Sequence, residues 1–286
     1  MERILPFFYN PSRMNKSLFM AGGYYMKTGK LIAIGLAAAC IMVPAFTAMA
    51  DDAKVNLNAA KAPEEVVIDG SLDEWNLDSV AEITQQEQLV RDEGQWTGPE
   101  DLSLNISAMW DEDNLYIGGT IMDDTPFMYR EGFPPDMADS LVVFFGTDPA
   151  ADPERTEYAA EDFRVTMVLD DYYFNTGIDR DMIADDKGFE TIGEDGDEQV
   201  LDGYECAVEE IDGGYTFEMV IPWSNFSNDE IPVFVPAAGV TTAFELGMFD
   251  LDFPCPGVAT ARMQWAGRSM DVDEDPSLWG TITFVE

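Results

Sequence analysis

The chain has 286 residues, and its 56 acidic residues outnumber its 15 basic residues, so the formal net charge is −41. It contains no histidine, which excludes histidine-dependent nucleophiles and histidine-bound zinc or haem, and the scarcity of Lys and Arg argues against nucleic acid and anionic membranes as partners. Because 46% of the residues are hydrophobic and 12% are aromatic, the chain can build a core, so we expect a soluble, strongly acidic globular protein.

The N-terminal region is predicted to contain a secretory signal peptide. The only long apolar run covers residues 31–50, follows a short basic segment at 26–30 and ends in the A-x-A pattern Ala48-Met49-Ala50. This order is typical of a signal peptide over residues 26–50 that is cleaved after Ala50. A membrane anchor, or a lipoprotein modified at Cys40, is the alternative.

The remaining pattern divides the chain into an extension, an export signal and one folded domain. Residues 1–25 precede a complete signal and are predicted to be an N-terminal extension outside the folded protein. Residues 51–65 are polar and Ala-rich and are predicted to be a flexible lead-in. Residues 66–286 show neither an internal repeat nor a linker, so we expect one domain. The mature protein is expected to be secreted or periplasmic, with no membrane span.

Removal of the signal makes the exported part more acidic. The first 50 residues hold five basic residues and one acidic residue, which leaves 10 basic and 55 acidic residues and a net charge of −45. Such a surface repels itself unless salt or divalent cations screen it. The charge therefore indicates a saline, halophilic setting, bound Ca²⁺, or both.

Two cysteines remain after cleavage, Cys206 and Cys255. In an oxidising compartment an even number of cysteines permits one disulfide, which typically stabilises a fold by about 2–4 kcal/mol. Two unpaired buried thiols are the alternative, because the sequence does not give the distance between the two residues.

The mature chain is predicted to be all-β. Short apolar or alternating runs are separated by turn residues, which favours a single antiparallel β-sandwich with jelly-roll or immunoglobulin-like layers. The run LVVFF at 141–145 is continuously apolar, as expected for a strand that is buried on both faces. The predicted strands are 102–110, 115–122, 141–145, 163–169, 204–208, 215–221, 244–249 and 281–285.

Five segments of this domain carry a recognisable pattern. They are Ile68–Trp75 (IDGSLDEW), Trp110–Ile117 (WDEDNLYI), Asp123–Pro126 with Asp139-Ser140, Gly214–Trp223 (GYTFEMVIPW) and Asp275–Gly280 (DPSLWG). In this order they resemble the motifs of family 9 carbohydrate-binding modules, and the wider group of sugar- and haem-binding β-sandwiches related to them. The resemblance implies a β-sandwich fold, an oligo- or polysaccharide ligand and structural calcium. Large aromatic residues dominate sandwich cores, so most of the motif aromatics are expected in the core: Trp75, Trp110, Tyr116, Trp223 and Trp279.

Sugar recognition needs exposed aromatic faces with polar side chains around them. Two segments offer this mixture, 85–100 and 123–139. From the first we select Trp96, which stands among the polar residues Gln88, Arg91 and Gln95. The second supplies the candidate ligand-binding residues Phe127, Tyr129 and Arg130. The family resemblance adds Asp139, Arg262 and Trp265 to the expected ligand site.

Acidic pairs are the candidate calcium ligands, because Ca²⁺ prefers carboxylate oxygens. The selected pairs are Asp111 with Asp113 and Asp123 with Asp124. The D-x-D-x-D run at 271–275 is not an EF-hand, since Pro276 replaces the turn glycine. Among so many acidic residues, each pair has a solvated surface as its alternative explanation.

The sequence predicts a secreted, non-catalytic carbohydrate-binding protein that acts in polysaccharide binding or breakdown. No nucleophile motif, P-loop or dinucleotide fingerprint supports an enzyme, and no catalytic residue is selected. One alternative is a haem-binding subunit of a periplasmic oxidoreductase, which the related haem-binding sandwiches suggest. The other alternative is a calcium-dependent surface or adhesion component, which the charge suggests. The oligomeric state is left open.

Overall fold

The computed structural model describes residues 54–92, 96–126, 139–168, 188–191, 198–227, 231–252 and 261–286. Within these ranges the chain forms strands and short 3-10 turns, with no α-helix, and none of these residues belongs to a helix that is long and apolar enough to cross a membrane. The strands are β1 Asn56–Lys61, β2 Ala81–Ile83, β3 Leu89–Asp92, β4 Leu102–Trp110, β5 Asn114–Asp123, β6 Ser140–Gly146, β7 Asp162–Val168, β8 Gly188–Thr191, β9 Glu198–Val200, β10 Glu205–Ile211, β11 Gly214–Pro222, β12 Thr241–Asp250, β13 Ala261–Gln264 and β14 Gly280–Phe284. The all-β prediction is confirmed.

The strands form two mainly antiparallel layers. The first sheet has the order β10-β11-β5-β4, with β2 pairing β4. The second sheet has the order β14-β12-β6-β7-β8-β9, and β13 with β3 extends it beside β12. The hairpin of β4 and β5 follows the register Leu102↔Asp123 to Trp110↔Leu115, which confirms the predicted pairing across a polar turn.

The N-terminal strand β1 connects the two sheets. Its first half runs parallel to β14, with Leu57 opposite Ile282, and its end runs parallel to β4, with Lys61 opposite Trp110. The prediction of a flexible lead-in over 51–65 is therefore wrong for Asn56–Lys61. Leu57 and Ala59 are fully buried in the core, whereas Ala and Asn have low strand propensity in isolation. Tertiary pairing thus creates a strand that local sequence does not indicate.

The core lies between the layers and confirms the predicted burial pattern. In β6, Leu141, Val143 and Phe145 face the first sheet, while Val142 and Phe144 pack in a second cluster with Trp279 on the outer face. This strand is thus buried on both faces, as its continuous apolar run predicts. All five motif aromatics predicted to be buried are buried. Trp110 and Trp223 lie in the core between the layers, Trp279 lies in the outer-face cluster, and Trp75 and Tyr116 form a further buried cluster.

A buried carboxylate joins the first and fourth motifs. Glu218 on β11 accepts hydrogen bonds from the indole Nε1 of Trp75 (2.5 Å) and from the backbone N–H groups of Asp69 (2.9 Å) and Gly70 (2.7 Å). Gly70 has φ +92°, and a Cβ atom at this position would lie 2.7 Å from the backbone of Val208. Only glycine fits this turn without strain. These motif residues therefore fix the fold.

Candidate functional site

Several strands begin or end at one end of the sandwich, which we call the loop end. Strands β3, β5 and β12 end there, and β4, β6 and β13 begin there, as the pairs Leu102↔Asp123, Ser140↔Phe249 and Asp250↔Ala261 show. The connections 93–101, 124–139 and 251–260 therefore leave from the same end of the fold. Loops at one end of a rigid sandwich are common sites of ligand binding.

Three buried aspartates meet at the loop end. Asp123 ends β5, Asp139 precedes β6 and Asp250 ends β12, and each offers a carboxylate oxygen within 4.8 Å of the other two. Asp123 Oδ1 accepts from the N–H of Thr125 (2.9 Å), and Asp139 Oδ1 accepts from the N–H of Leu251 (2.8 Å). Within the described residues, Asp123 Oδ2 is buried and has no hydrogen-bond donor. We call these three residues the buried trio.

Burial makes negative charge costly in the buried trio. Burial and, after it, the neighbouring carboxylate of Asp123 together raise the pKa of Asp250 to about 8. Burial is also the main reason why the pKa of Asp123 is raised to about 6. Buried carboxylates that lie this close are stable as anions only when a positive charge accompanies them. The buried trio therefore has the donor set and the charge that a divalent cation requires.

A second trio lies at the same end, formed by Asp101, Asp124 and Asp252. Asp101 is buried, Asp252 is half-buried and Asp124 is exposed, and burial raises the pKa of Asp101 and of Asp252. Of the predicted metal residues, Asp123 and Asp124 thus belong to two different trios. The sequence-based selection did not include Asp250, Asp101 or Asp252, whose positions at strand ends give the only local signal.

The other predicted metal pair lies at the opposite end of the first sheet. Asp111 and Asp113 form the turn between β4 and β5, and the Asp111 carboxylate accepts from the N–H groups of Asp113 and Asn114 and from the hydroxyl of Tyr116. Partial burial raises the pKa of Asp111, but these hydrogen bonds outweigh burial and hold the pKa below its usual value. Asp111 therefore stabilises the hairpin turn, and the structure does not bring this pair to the loop end.

One candidate aromatic residue of the loop end, Trp96, lies in the described part of the chain. Trp96 is half-buried, packs against the core and donates from Nε1 to the carbonyl of Leu102 (3.1 Å). Phe127, Tyr129 and Arg130 lie outside the described residues. The buried trio holds both flanks of their segment, because Asp123 and Asp139 lie on either side of it.

Arg262 and Trp265 lie in the interior. The Arg262 guanidinium is fully buried, stacks 4.5 Å from the ring centroid of Phe249 and binds both carboxylate oxygens of Asp273 at 2.5 and 2.6 Å. Trp265 is 7% exposed and packs edge-on against Phe244. The ion pair of Arg262 with Asp273 fixes the chain after β13 over the outer face of the second sheet, whereas Trp265 belongs to the core between the sheets.

Only one cysteine of the predicted disulfide lies within the described residues. Cys206 lies on β10 and is buried in the core. Cys255 lies outside the described residues, so the pairing stays a prediction.

A fully buried glutamate holds the turn that follows β13. Glu245 on β12 accepts from the N–H groups of Ala266 (3.0 Å) and Gly267 (3.2 Å). Burial raises its pKa to about 7, although these hydrogen bonds favour the ionised form. Between its ordinary value of 4.5 and about 7, the folded state holds more protons than the unfolded state.

We expect the stability advantage of the wild type over Glu245→Gln to shrink as the pH rises. Because the folded pKa is raised, the free energy of unfolding of the wild type falls between the two pKa values, by at most about 3 kcal/mol, whereas glutamine does not titrate. Urea unfolding of both proteins from about pH 5 to about pH 8 in excess calcium measures this difference. A difference that does not change with pH contradicts the assignment.

Comparison with known proteins agrees with the fold. Residues 68–286 match the family described as carbohydrate family 9 binding domain-like. The chain is 23% identical over 224 residues to endo-1,4-beta-xylanase A of Thermotoga neapolitana; this covers 77% of the chain and 17% of the xylanase.

Two solved structures share the architecture, and both are family 9 carbohydrate-binding modules from Caldicellulosiruptor kristjanssonii. One is a complex with cellotriose (TM-score 0.54, 16% identity, 81% of this chain and 94% of that chain). The other is a complex with glucose (TM-score 0.52, 17% identity, 79% and 95%). Because the family match spans more than half of the sequence and the fold agrees, the chain belongs to the carbohydrate family 9 binding domain-like family.

Proposed function

We propose that the chain is an exported, non-catalytic protein that binds a neutral oligo- or polysaccharide at the loop end. The observation that carries this proposal is the buried trio, which holds both flanks of the aromatic segment 127–138 at one end of a family 9 sandwich. Two structures of similar fold were solved with cellotriose and glucose, and a relative is a xylanase of which the chain spans 17%. These supports favour a role in polysaccharide binding or breakdown.

The proposed ligand contacts follow from the chemistry of the side chains. Phe127 and Tyr129 would stack on the C–H faces of sugar rings, and Trp96 would border them. Arg130 would donate hydrogen bonds to hydroxyl groups. Asp139, Arg262 and Trp265 would stabilise the surrounding structure without stacking on the sugar, since all three are buried.

Calcium is proposed for the buried trio because the residues fit it. Asp123, Asp139 and Asp250 place carboxylate oxygens within 4.8 Å of one another, and Asp123 Oδ2 has no donor within the described residues. Ca²⁺ takes about 6–8 oxygen ligands, which carboxylates, backbone carbonyls and water can supply together. When bound, the ion would neutralise the buried charge. The aspartates would then hold the ends of β5, β6 and β12 at fixed positions.

Replacing Tyr129 with alanine is expected to weaken binding of cellotriose about tenfold, because loss of an aromatic anchor typically costs more than about 1 kcal/mol. Phe127→Ala should act in the same direction. Isothermal titration calorimetry with excess calcium measures the affinities.

The protein purified after export should begin at Asp51, and mass spectrometry measures this.

The control substitution is Val235→Ala, which truncates a side chain that is 79% exposed. It should leave the affinity for cellotriose unchanged. If the wild type binds no neutral sugar in calcium, or if the control weakens binding as much as Tyr129→Ala does, the proposed function is wrong.

A further inference from the structure

A polar groove lies beside β2, apart from both aspartate trios. Its volume is about 410 Å³, and its lining residues are Glu82, Thr84, Gln85, Glu87, Gln88 and Arg268. All six side chains are polar, and both hydrogen-bond donors and acceptors are present. The groove shares no residue with the loop end.

A buried amide holds the two walls of the groove together. Gln88 is 5% exposed, and its Oε1 accepts from the N–H groups of Thr84 (3.0 Å) and Gln85 (3.1 Å). Its Nε2 donates to the carbonyls of Glu82 (2.8 Å) and Trp265 (3.3 Å). All four hydrogen bonds available to this side chain are made. The segment from Glu82 to Gln88 is therefore fixed against the chain that follows β13.

Backbone carbonyls hold the guanidinium of Arg268 through Nη1, and within the described residues its other nitrogens have no acceptor. Its Nη1 donates to the carbonyls of Gln264 (3.2 Å) and Trp265 (2.8 Å). Glu245 holds the intervening turn through the N–H groups of Ala266 and Gly267. No carboxylate of the described chain forms an ion pair with Arg268, in a protein with 56 acidic residues.

The acids of the groove are unpaired as well. Glu82 and Glu87 are exposed, and within the described ranges neither carboxylate makes a hydrogen bond. By contrast, Arg155 forms an ion pair with Asp162, and Arg262 forms one with Asp273. A fixed guanidinium and two unpaired carboxylates thus line the same open space.

This combination selects a neutral ligand with many hydroxyl groups. An anion would meet two glutamates and the strong negative charge of the protein, and a cation would meet the guanidinium. Adjacent hydroxyl groups of a sugar can donate to a carboxylate and accept from a guanidinium at the same time. We propose that the groove is a second carbohydrate contact, which binds a neutral sugar by hydrogen bonds without stacking. This inference rests on the proposed carbohydrate-binding function and adds a site to it.

Titration of the ¹⁵N-labelled, calcium-loaded protein with cellohexaose and with xylohexaose tests the proposal by NMR. We expect at least one of the two sugars to cause saturable shifts of the Arg268 Nε–H and the Gln85 side-chain amide. Arg268→Ala should weaken the groove response about tenfold, as expected for loss of a charged hydrogen bond. Glu87→Gln, on an exposed side chain, should weaken it without affecting the fold. Glu274→Gln, an exposed acid outside the groove, is the matched control.

The pattern of shifts separates the two proposals. Shifts at the loop end without shifts in the groove overturn the groove and leave the proposed function intact. Shifts in the groove that Arg268→Ala and Glu87→Gln weaken support it, whatever happens at the loop end. Groove shifts that neither variant changes overturn the groove proposal. If no residue shifts at either place, both the groove proposal and the proposed function are wrong.

Discussion

Replacing Glu218 with alanine is expected to lower the free energy of unfolding by about 4 kcal/mol, because two buried donors and one partly buried donor lose their acceptor at once. The donors are the indole Nε1 of Trp75 and the N–H groups of Asp69 and Gly70. A buried donor left without a partner costs about 1–3 kcal/mol. Burial raises the pKa of Glu218, so removal of the carboxylate also removes some desolvation cost. The expected loss of stability therefore stays below the sum of the largest penalties for the three donors.

Urea unfolding of the wild type and of three variants measures this effect. The control is Glu210→Ala on the neighbouring strand β10, where the side chain is exposed and a change within about 0.5 kcal/mol is expected. Glu218→Gln keeps one acceptor oxygen and should give an intermediate loss. If Glu218→Ala costs no more than the control, the buried carboxylate does not hold the first and fourth motifs together.

Calcium is expected to raise the melting temperature by about 5–10 °C when its concentration is 100 times its dissociation constant. Binding at that ratio stabilises the folded state by about 2.7 kcal/mol. For a domain of this size, each kcal/mol shifts the melting temperature by about 2–4 °C. EDTA should reverse the change, and Mg²⁺ should act more weakly because it demands a smaller octahedral site. Calorimetry with and without each ion gives the comparison.

The effect of Asp250→Asn on the melting temperature should depend on calcium. Without calcium it should melt no lower than the wild type, because burial raises the pKa of Asp250 to about 8 and the amide removes a costly charge. With calcium it should melt below the wild type, because one ligand is missing. The matched control, Asp113→Asn in the turn of β4 and β5, should keep the full response. If both variants lose the calcium response equally, the response does not depend specifically on the buried trio, and the ion binds elsewhere.

Much of the fold could be predicted from the sequence because local patterns and tertiary structure agree. Strand β4 has the predicted bounds, since apolar residues from Leu102 to Trp110 alternate with small polar ones between turn residues. Strand β1 could not be predicted, because Leu57 and Ala59 become buried only when β14 and β4 lie on either side. Strands as short as β2 and β13 likewise depend on their neighbours.

The candidate site was harder to predict because its residues are distant in sequence. Asp123 stood out beside Asp124, but Asp250 lies more than 100 residues away and joins Asp123 only through the register of the two sheets. Asp111 belongs to an equally suggestive acidic pair, yet its carboxylate serves a hairpin turn. In an acidic chain, burial separates a candidate ligand from a solvated carboxylate, and sequence does not report burial.

The pairing of β1 with β14 also determines how the domain carries a mechanical load. The two strands are parallel, and they lie near the two ends of the folded region, at Asn56 and Phe284. Tension applied between those ends pulls the strands past each other along their length. The hydrogen bonds of the ladder, from Asn56↔Thr281 to Ala59↔Phe284, then share the force together and are not broken one after another. The connection between the two sheets is therefore also the part of the fold that resists stretching.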